Sequence, residues 1–296
     1  VPPVELAVSR GVIYPDGTRE LIPLGVLVVS SVDPELRTKF SIGVNDRSRR
    51  VARNAFWRTY VIPAGTSYIQ AIRDLVVDRL RYDVDVQIAT SNEFVTLGPV
   101  VYTERDDPWK AVQALAATIG CEVFFDQIGR LIIRDRVLAM GSPDWRYDGT
   151  NSWLLPETRV AVADEPGYNA VLAVGESSGN TTDIPRALAV DSDPTSPTFW
   201  NGDEYGQVTE IYSDSSIADV DHAALVARTR LAHWLGRNDA MTAATVPHPA
   251  HDAGDVLATT WLGVDRTVPI ASLTMPLDVG TAATLTCRSQ IALEAA

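Results

Sequence analysis

The chain has 296 residues, 46% hydrophobic and 21% charged, which leaves room for two or three packed domains. Its net charge of -13 argues against a protein that grips nucleic acid by its phosphates. No apolar run approaches the roughly 20 residues a membrane helix needs, so no membrane insertion by this chain is expected.

In chain order, strand signals fill the first sixty residues. Val8 to Tyr14, the turn Pro15-Asp16-Gly17 and Glu20 to Val32 predict a strand, a tight reversal and a longer strand region. Ser41 to Val44 and Arg50 to Tyr60 continue in that style, with Asn45-Asp46-Arg47-Ser48 read as a polar turn. Thr66 then reads as the cap of a first helix whose Ile69, Ile72, Leu75, Val76 and Leu80 share one face. A second helix is signalled by Asp107 as cap, Pro108 at the first helical position and Gly120 as a left-handed stop. Glu122 to Asp126 and Arg130 to Arg134 predict a hairpin around Gly129. Beyond Trp153 the pattern is mostly strands: Tyr168–Gly175, Gln207–Tyr212, Ala240–Val246, Asp255–Thr260, Val268–Met275 and Ala283–Ser289. One helix interrupts them, from about Asp221 to Leu235, with Leu225, Leu231 and Leu235 inward and Gly236 as its stop. Residues 177–205 read as a long wet loop, of a length that is usually functional or interface-forming.

Several residue groups invite a chemical reading. Gly175-Glu-Ser177-Ser-Gly179 matches the nucleophile-elbow pattern, but Asn180 to Pro185 cannot open the helix that the elbow requires, so a plain loop is expected. His248-Pro-Ala-His251-Asp252 has two imidazoles and no second ligand pair at zinc spacing, and reads as a solvated loop before the Asp255 strand. Asp191-Ser-Asp193 lacks the third acid, the glycine and the closing Glu of a calcium loop. Phe199, Trp200 and Tyr205 are instead the candidate interface residues, rings set among polar turns as contact points often are. The alternative is that they pin the loop to its own domain. Glu104, Asp106 and Asp107 suggest paired carboxylates for acid/base work, yet Pro108 makes Asp107 a helix cap. The seven tryptophans are scattered, and core packing explains most of them. Cys121 and Cys287, far apart and in no CxxC pair, predict two buried free thiols. The acidic residues read as spread along the chain, and Val1-Pro-Pro-Val-Glu5 without Met suggests a start further upstream. No catalytic, cofactor-binding or metal-binding residues are assigned.

The order of short segments along nearly the whole chain resembles the tail-hub, or baseplate-hub, proteins of long-tailed phages and of related contractile injection machines. The residues that carry the likeness are Leu21-Ile-Pro-Leu-Gly25, Asp46 with Arg50-Val51, and Ile62-Pro-Ala-Gly-Thr66. Arg105-Asp-Asp-Pro-Trp109, Leu115 to Gly120 and Val123-Phe-Phe-Asp126 with Gly129 follow. Then come Tyr168-Asn-Ala-Val171, Gly175-Glu-Ser177, Asp191 to Thr198, Gly254-Asp-Val256 and the closing strand Thr286 to Arg288. The resemblance implies an α+β chain: two tube-type antiparallel β-barrel-like domains with a small α/β region between them. The expected divisions are 1–65 for the first barrel-like domain, 66–150 for the α/β region and 151–296 for the second barrel-like domain with one helix. It implies a homotrimeric ring at the virion's tail tip, closing the tail tube and joining distal tail, tape measure and host-binding proteins. Genomic DNA would pass without specific binding. A carbohydrate-binding module is the alternative from another class, and a hydrolase comes third.

Overall fold

The structure is a computed structural model that describes residues 4–36, 39–136, 142–147, 159–162, 167–175, 184–194, 196–235, 239–261, 264–278 and 280–288. The chain is α+β and divides into two compact units, Val1–Arg136 and Val137–Ala296.

The first unit opens with an antiparallel meander, β1 (Glu5–Ile13), β2 (Arg19–Leu36) and β3 (Lys39–Asn45). Asp16 makes the first reversal: its carboxylate takes the Thr18 amide at 2.9 Å, and Gly17 supplies the φ of 84°. Helix α1 (Arg47–Arg53) replaces the strand expected from Arg50 onward. Seven residues are too few for a helix to stand alone. Tertiary contacts hold this one: Val51 is fully buried in the core, and the Arg47 guanidinium donates to Glu5 at 2.8 Å and to the Gly129 carbonyl at 2.5 Å. That ion pair holds the Glu5 carboxyl below its ordinary range.

After β4 (Tyr60–Ile62), helix α2 (Tyr68–Leu80) starts at Ser67, not at the expected cap Thr66, whose hydroxyl instead donates to the Pro63 carbonyl at 2.7 Å. Ile72, Leu75, Val76 and Leu80 are fully buried. Next come β5 (Val86–Ala89), β6 (Val100–Tyr102), which pairs with β4, and helix α3 (Pro108–Thr118). As expected, the Asp107 side chain caps α3 through the amides of Trp109 and Lys110, while Asp106 braces the preceding turn through Thr103. Asp107→Ala should therefore lower the stability of the first unit by about 1 kcal/mol, read as a shift in its chemical-denaturation midpoint. The predicted hairpin forms β7 (Cys121–Phe125) and β8 (Leu131–Asp135); β5 adds in parallel to β8. One core joins α2, α3 and β8.

The second unit contains β9 (Trp145–Tyr147), β10 (Arg159–Val162), β11 (Ala170–Val174), β12 (Arg186–Val190), β13 (Thr209–Ser213), α4 (Val220–Leu235), β14 (Asp239–Thr245), β15 (Val256–Trp261), β16 (Val264–Thr274) and β17 (Ala283–Arg288). Six strands form one sheet in the order β10-β14-β17-β16-β15-β9. The long β16 pairs with β15 over Val264–Pro269 and with β17 from Ile270, with a register shift between Ile270 and Ser272. Such a bulge lets one strand turn a corner between two halves of a sheet. A smaller sheet, β12-β11-β13, lies against α4, whose buried stripe is Ala223, Val226, Ala227, Leu231 and Leu235; Leu225 is only half-buried. β12 falls inside the stretch expected to be loop, so residues 177–205 are not wholly irregular. Gly236, the expected stop of α4, lies outside the described residues.

The acidic residues are spread along the chain as expected, but the basic ones are concentrated in the first unit. Residues 1–136 hold 17 acidic and 17 basic side chains, whereas residues 137–296 hold 21 and 8. The whole net charge of -13 belongs to the second unit.

Candidate functional site

The loop after β12 is built around two fully buried polar side chains, Asn169 and Asp191. Asn169 clamps both ends of the loop. Its side-chain amide donates to the carbonyls of Thr198 (3.0 Å) and Gly206 (2.7 Å), and its oxygen accepts from the Val208 amide at 2.8 Å. Asp191 organises the interior: one carboxylate oxygen accepts the hydroxyls of Ser196 and Thr198, each at 2.6 Å, and the other the Asp193 amide at 3.2 Å. The Asp191 carbonyl accepts from the Trp200 amide at 2.9 Å. A buried carboxylate so enclosed spends its lone pairs on the loop's own donors. That is the role of the Asp-Ser-Asp run, and no group of three metal-ligating side chains occurs among the described residues.

On this frame Phe199, Trp200 and Tyr205 are half-buried, and the Tyr205 hydroxyl donates to the Gly167 carbonyl at 2.6 Å. Asp203 and Glu204, next to Tyr205, are exposed. Sequence reasoning picked out the rings and missed Asn169 as the clamp. For Asp191 the available signal was the Asp-Ser-Asp-Pro-Thr-Ser-Pro-Thr run itself, a carboxylate followed by hydroxyls at short spacing, whereas the partners of Asn169 are far along the chain and no local pattern marks them.

The loop before β15 is not the solvated one expected. His251 is 4% exposed, with Nε2 2.5 Å from the Tyr147 hydroxyl and Nδ1 buried without a hydrogen-bond partner among the described residues. Trp145 stacks edge-on against His251 (5.0 Å between centroids) and also contacts His248 at 4.6 Å; its indole N–H donates to Asp255 at 2.8 Å. The short β9 brings Trp145 and Tyr147 to this loop, a pairing of residues more than a hundred positions apart that no local pattern announces. Burial, with help from the His248 charge and against the pull of Asp255, pushes the His251 imidazole down to about 4. Tyr147 is pushed up to about 12, also by burial. His251 and Tyr147 are thus both held in their uncharged forms at neutral pH and packed together.

Ser177 and the rest of residues 176–183 lie outside the described residues. Cys121 and Cys287 are free and buried, and desolvation pushes their thiols up to about 11 and about 12, away from nucleophilic thiolates. No helix among the described residues is long and apolar enough to cross a membrane.

No family model and no curated protein sequence matches the chain. Solved structures do. A tail protein from Neisseria meningitidis superposes with a TM-score of 0.66 at 13% identity, covering 94% of this chain and 82% of its own. The chain has the fold of phage tail proteins. The 43 kDa tail protein of prophage MuSo2 from Shewanella oneidensis shows the same tail-protein fold (TM-score 0.63, 14% identity, 98% of this chain and 85% of that one). So does the prophage tail protein gp18 from Listeria monocytogenes (TM-score 0.58, 13% identity, 92% and 79%). At identities this low the likeness carries the fold and assigns no residue a role. It also explains why a tail-hub resemblance was legible in segment order while no individual motif was strong.

Proposed function

We propose that this chain is a structural tail-tip hub subunit that acts by assembly and carries out no catalysis. The observation that supports this reading is the tail-protein fold extending over 94% of the chain, both units included. In this reading three copies close into a ring at the tip of the virion's tail. The ring ends the tail tube and connects it to the distal tail protein, the tape measure protein and host-binding tail-tip proteins. Each chain supplies two tube-type barrel-like domains, so three chains present six similar faces to a six-fold tube. The corner made by β16 in the six-strand sheet supports the second of these domains. Residues 1–65, 66–150 and 151–296 are the proposed first barrel-like domain, α/β region and second barrel-like domain. The acidic excess of residues 137–296 suits a wall past which DNA slides without being held.

Mass photometry of the purified chain and of the chain with its tail neighbours tests the assembly. The expected species has three times the 32.1 kDa chain mass. A protein that stays monomeric at high concentration and is absent from purified virions would refute the reading.

A further inference from the structure

Residues 47–58 hold five arginines and no carboxylate, in a chain of net charge -13. Two of the five are engaged within the first unit: Arg47 binds Glu5, and the Arg50 guanidinium lies 4.9 Å from the Tyr82 ring centre. The other three differ. Arg49 and Arg53, four apart on α1, and Arg58 in the following loop are all exposed, and none forms an ion pair among the described residues. Like charges at that helical spacing repel, so this face is better off against an anion than bare. Beside them Trp57 is 69% exposed, with the Arg58 guanidinium 4.9 Å from its ring centre. The β4–β6 ribbon that follows shows Val61 and Val101 as an exposed cross-strand pair. Arginine and tryptophan beside aliphatic surface is the composition of a protein-binding hot spot.

The second unit carries a surface of opposite charge. Asp203 and Glu204 are exposed, have no donor among the described residues, and are flanked by the half-buried rings of Trp200 and Tyr205. The buried bonds of Asp191 and Asn169 fix the loop that presents them, so little ordering is needed on contact.

We propose that the Arg49, Arg53, Trp57 and Arg58 surface of one copy docks on the Asp203–Glu204 loop of the next copy, head to tail. This rests on the ring reading above and names the contact that closes the ring. A ring of three needs two different patches on each copy, because a self-complementary patch closes at two. Charge complementarity selects a second copy as the occupant. A nucleic acid would also be drawn to these arginines, but it would approach a body whose net charge is of its own sign.

The test is a charge swap read by mass photometry, with thermal melts to confirm folding. Arg53→Glu with Arg58→Glu, and separately Asp203→Arg with Glu204→Arg, should each weaken assembly about tenfold or more while leaving the melts unchanged, since all four side chains are exposed. All four changes in one chain should restore the ring, and raising the salt should dissociate the wild-type ring. If the wild type assembles and either reversed variant assembles equally well, or the fourfold variant stays dissociated, the docking surface is wrong and the trimer stands. A wild type that stays monomeric both alone and with its tail neighbours, and is absent from purified virions, removes the ring reading and the docking with it. Salt-sensitive binding of a labelled DNA duplex, lost in Arg53→Glu/Arg58→Glu, would reassign the surface to nucleic acid and overturn the proposal.

Discussion

Replacing Asp191 with Ala is expected to destabilise the second unit by about 3 kcal/mol, one of the largest effects available from a single side chain outside its apolar core. The carboxylate is fully buried and accepts from Ser196, Thr198 and the Asp193 amide. Its removal leaves those donors enclosed and short of a partner, and each such loss costs roughly 1–3 kcal/mol, partly offset by water entering the space. Asp191→Asn tests the same point with little change of shape, since one acceptor oxygen becomes a donor facing other donors. The measurement is the urea midpoint of the second unit, followed by the tryptophan fluorescence of the chain. A midpoint shift of less than about 0.5 kcal/mol equivalent in both variants would show that the loop does not depend on this carboxylate. Because the loop presents Trp200, Asp203 and Glu204, the same substitution should also weaken assembly.

The second large effect is on pH dependence. His251 is held near a pKa of about 4 in the folded chain, below its ordinary 6.5, chiefly because burial disfavours the imidazolium. The unfolded chain therefore takes up this proton first as the pH falls. Its contribution to stability is complete above about pH 6.5 and is lost progressively down to about pH 4, on the order of 2–3 kcal/mol. His251→Gln removes the titration while keeping a polar group near the Tyr147 hydroxyl. Unfolding free energies of wild type and variant, compared at steps between pH 7 and 4, should differ by a slope of up to one proton across that window. Carboxylates held low in the folded state, such as Glu210 beside Arg230, also lose stability on acidification, but they cancel in the difference. Parallel curves would mean that His251 is solvated. The packing of Trp145 and Tyr147 on the imidazole also means that His251→Ala should be costly to stability, whereas the half-buried His248 should tolerate the change better.

What was legible in the sequence was what short-range physics dictates. The Asp107-Pro108 start of α3, the Gly120 turn with φ of 68°, the Gly129 hairpin and the β1–β2 reversal at Asp16-Gly17 each depend on residues within four positions of one another. Capping, a fixed proline φ and glycine's left-handed conformation act locally, so their residue types announce them. The order of such segments was also enough to suggest a tail-hub resemblance. α1 was illegible because Val51, Phe56 and Tyr60 read as strand formers, while what makes the helix is contact with Glu5 and the α2–α3 core. β12 was hidden in a Pro-, Asp- and Ser-rich stretch because its strand character comes from pairing with β11. Tertiary structure alone decided the roles of Asn169 and His251. Burial and hydrogen-bond partners are set by residues as many as a hundred positions away, and no one-dimensional pattern encodes that proximity. The sequence by itself determined the total charge of -13; only the division into two units showed that all of it lies on one of them.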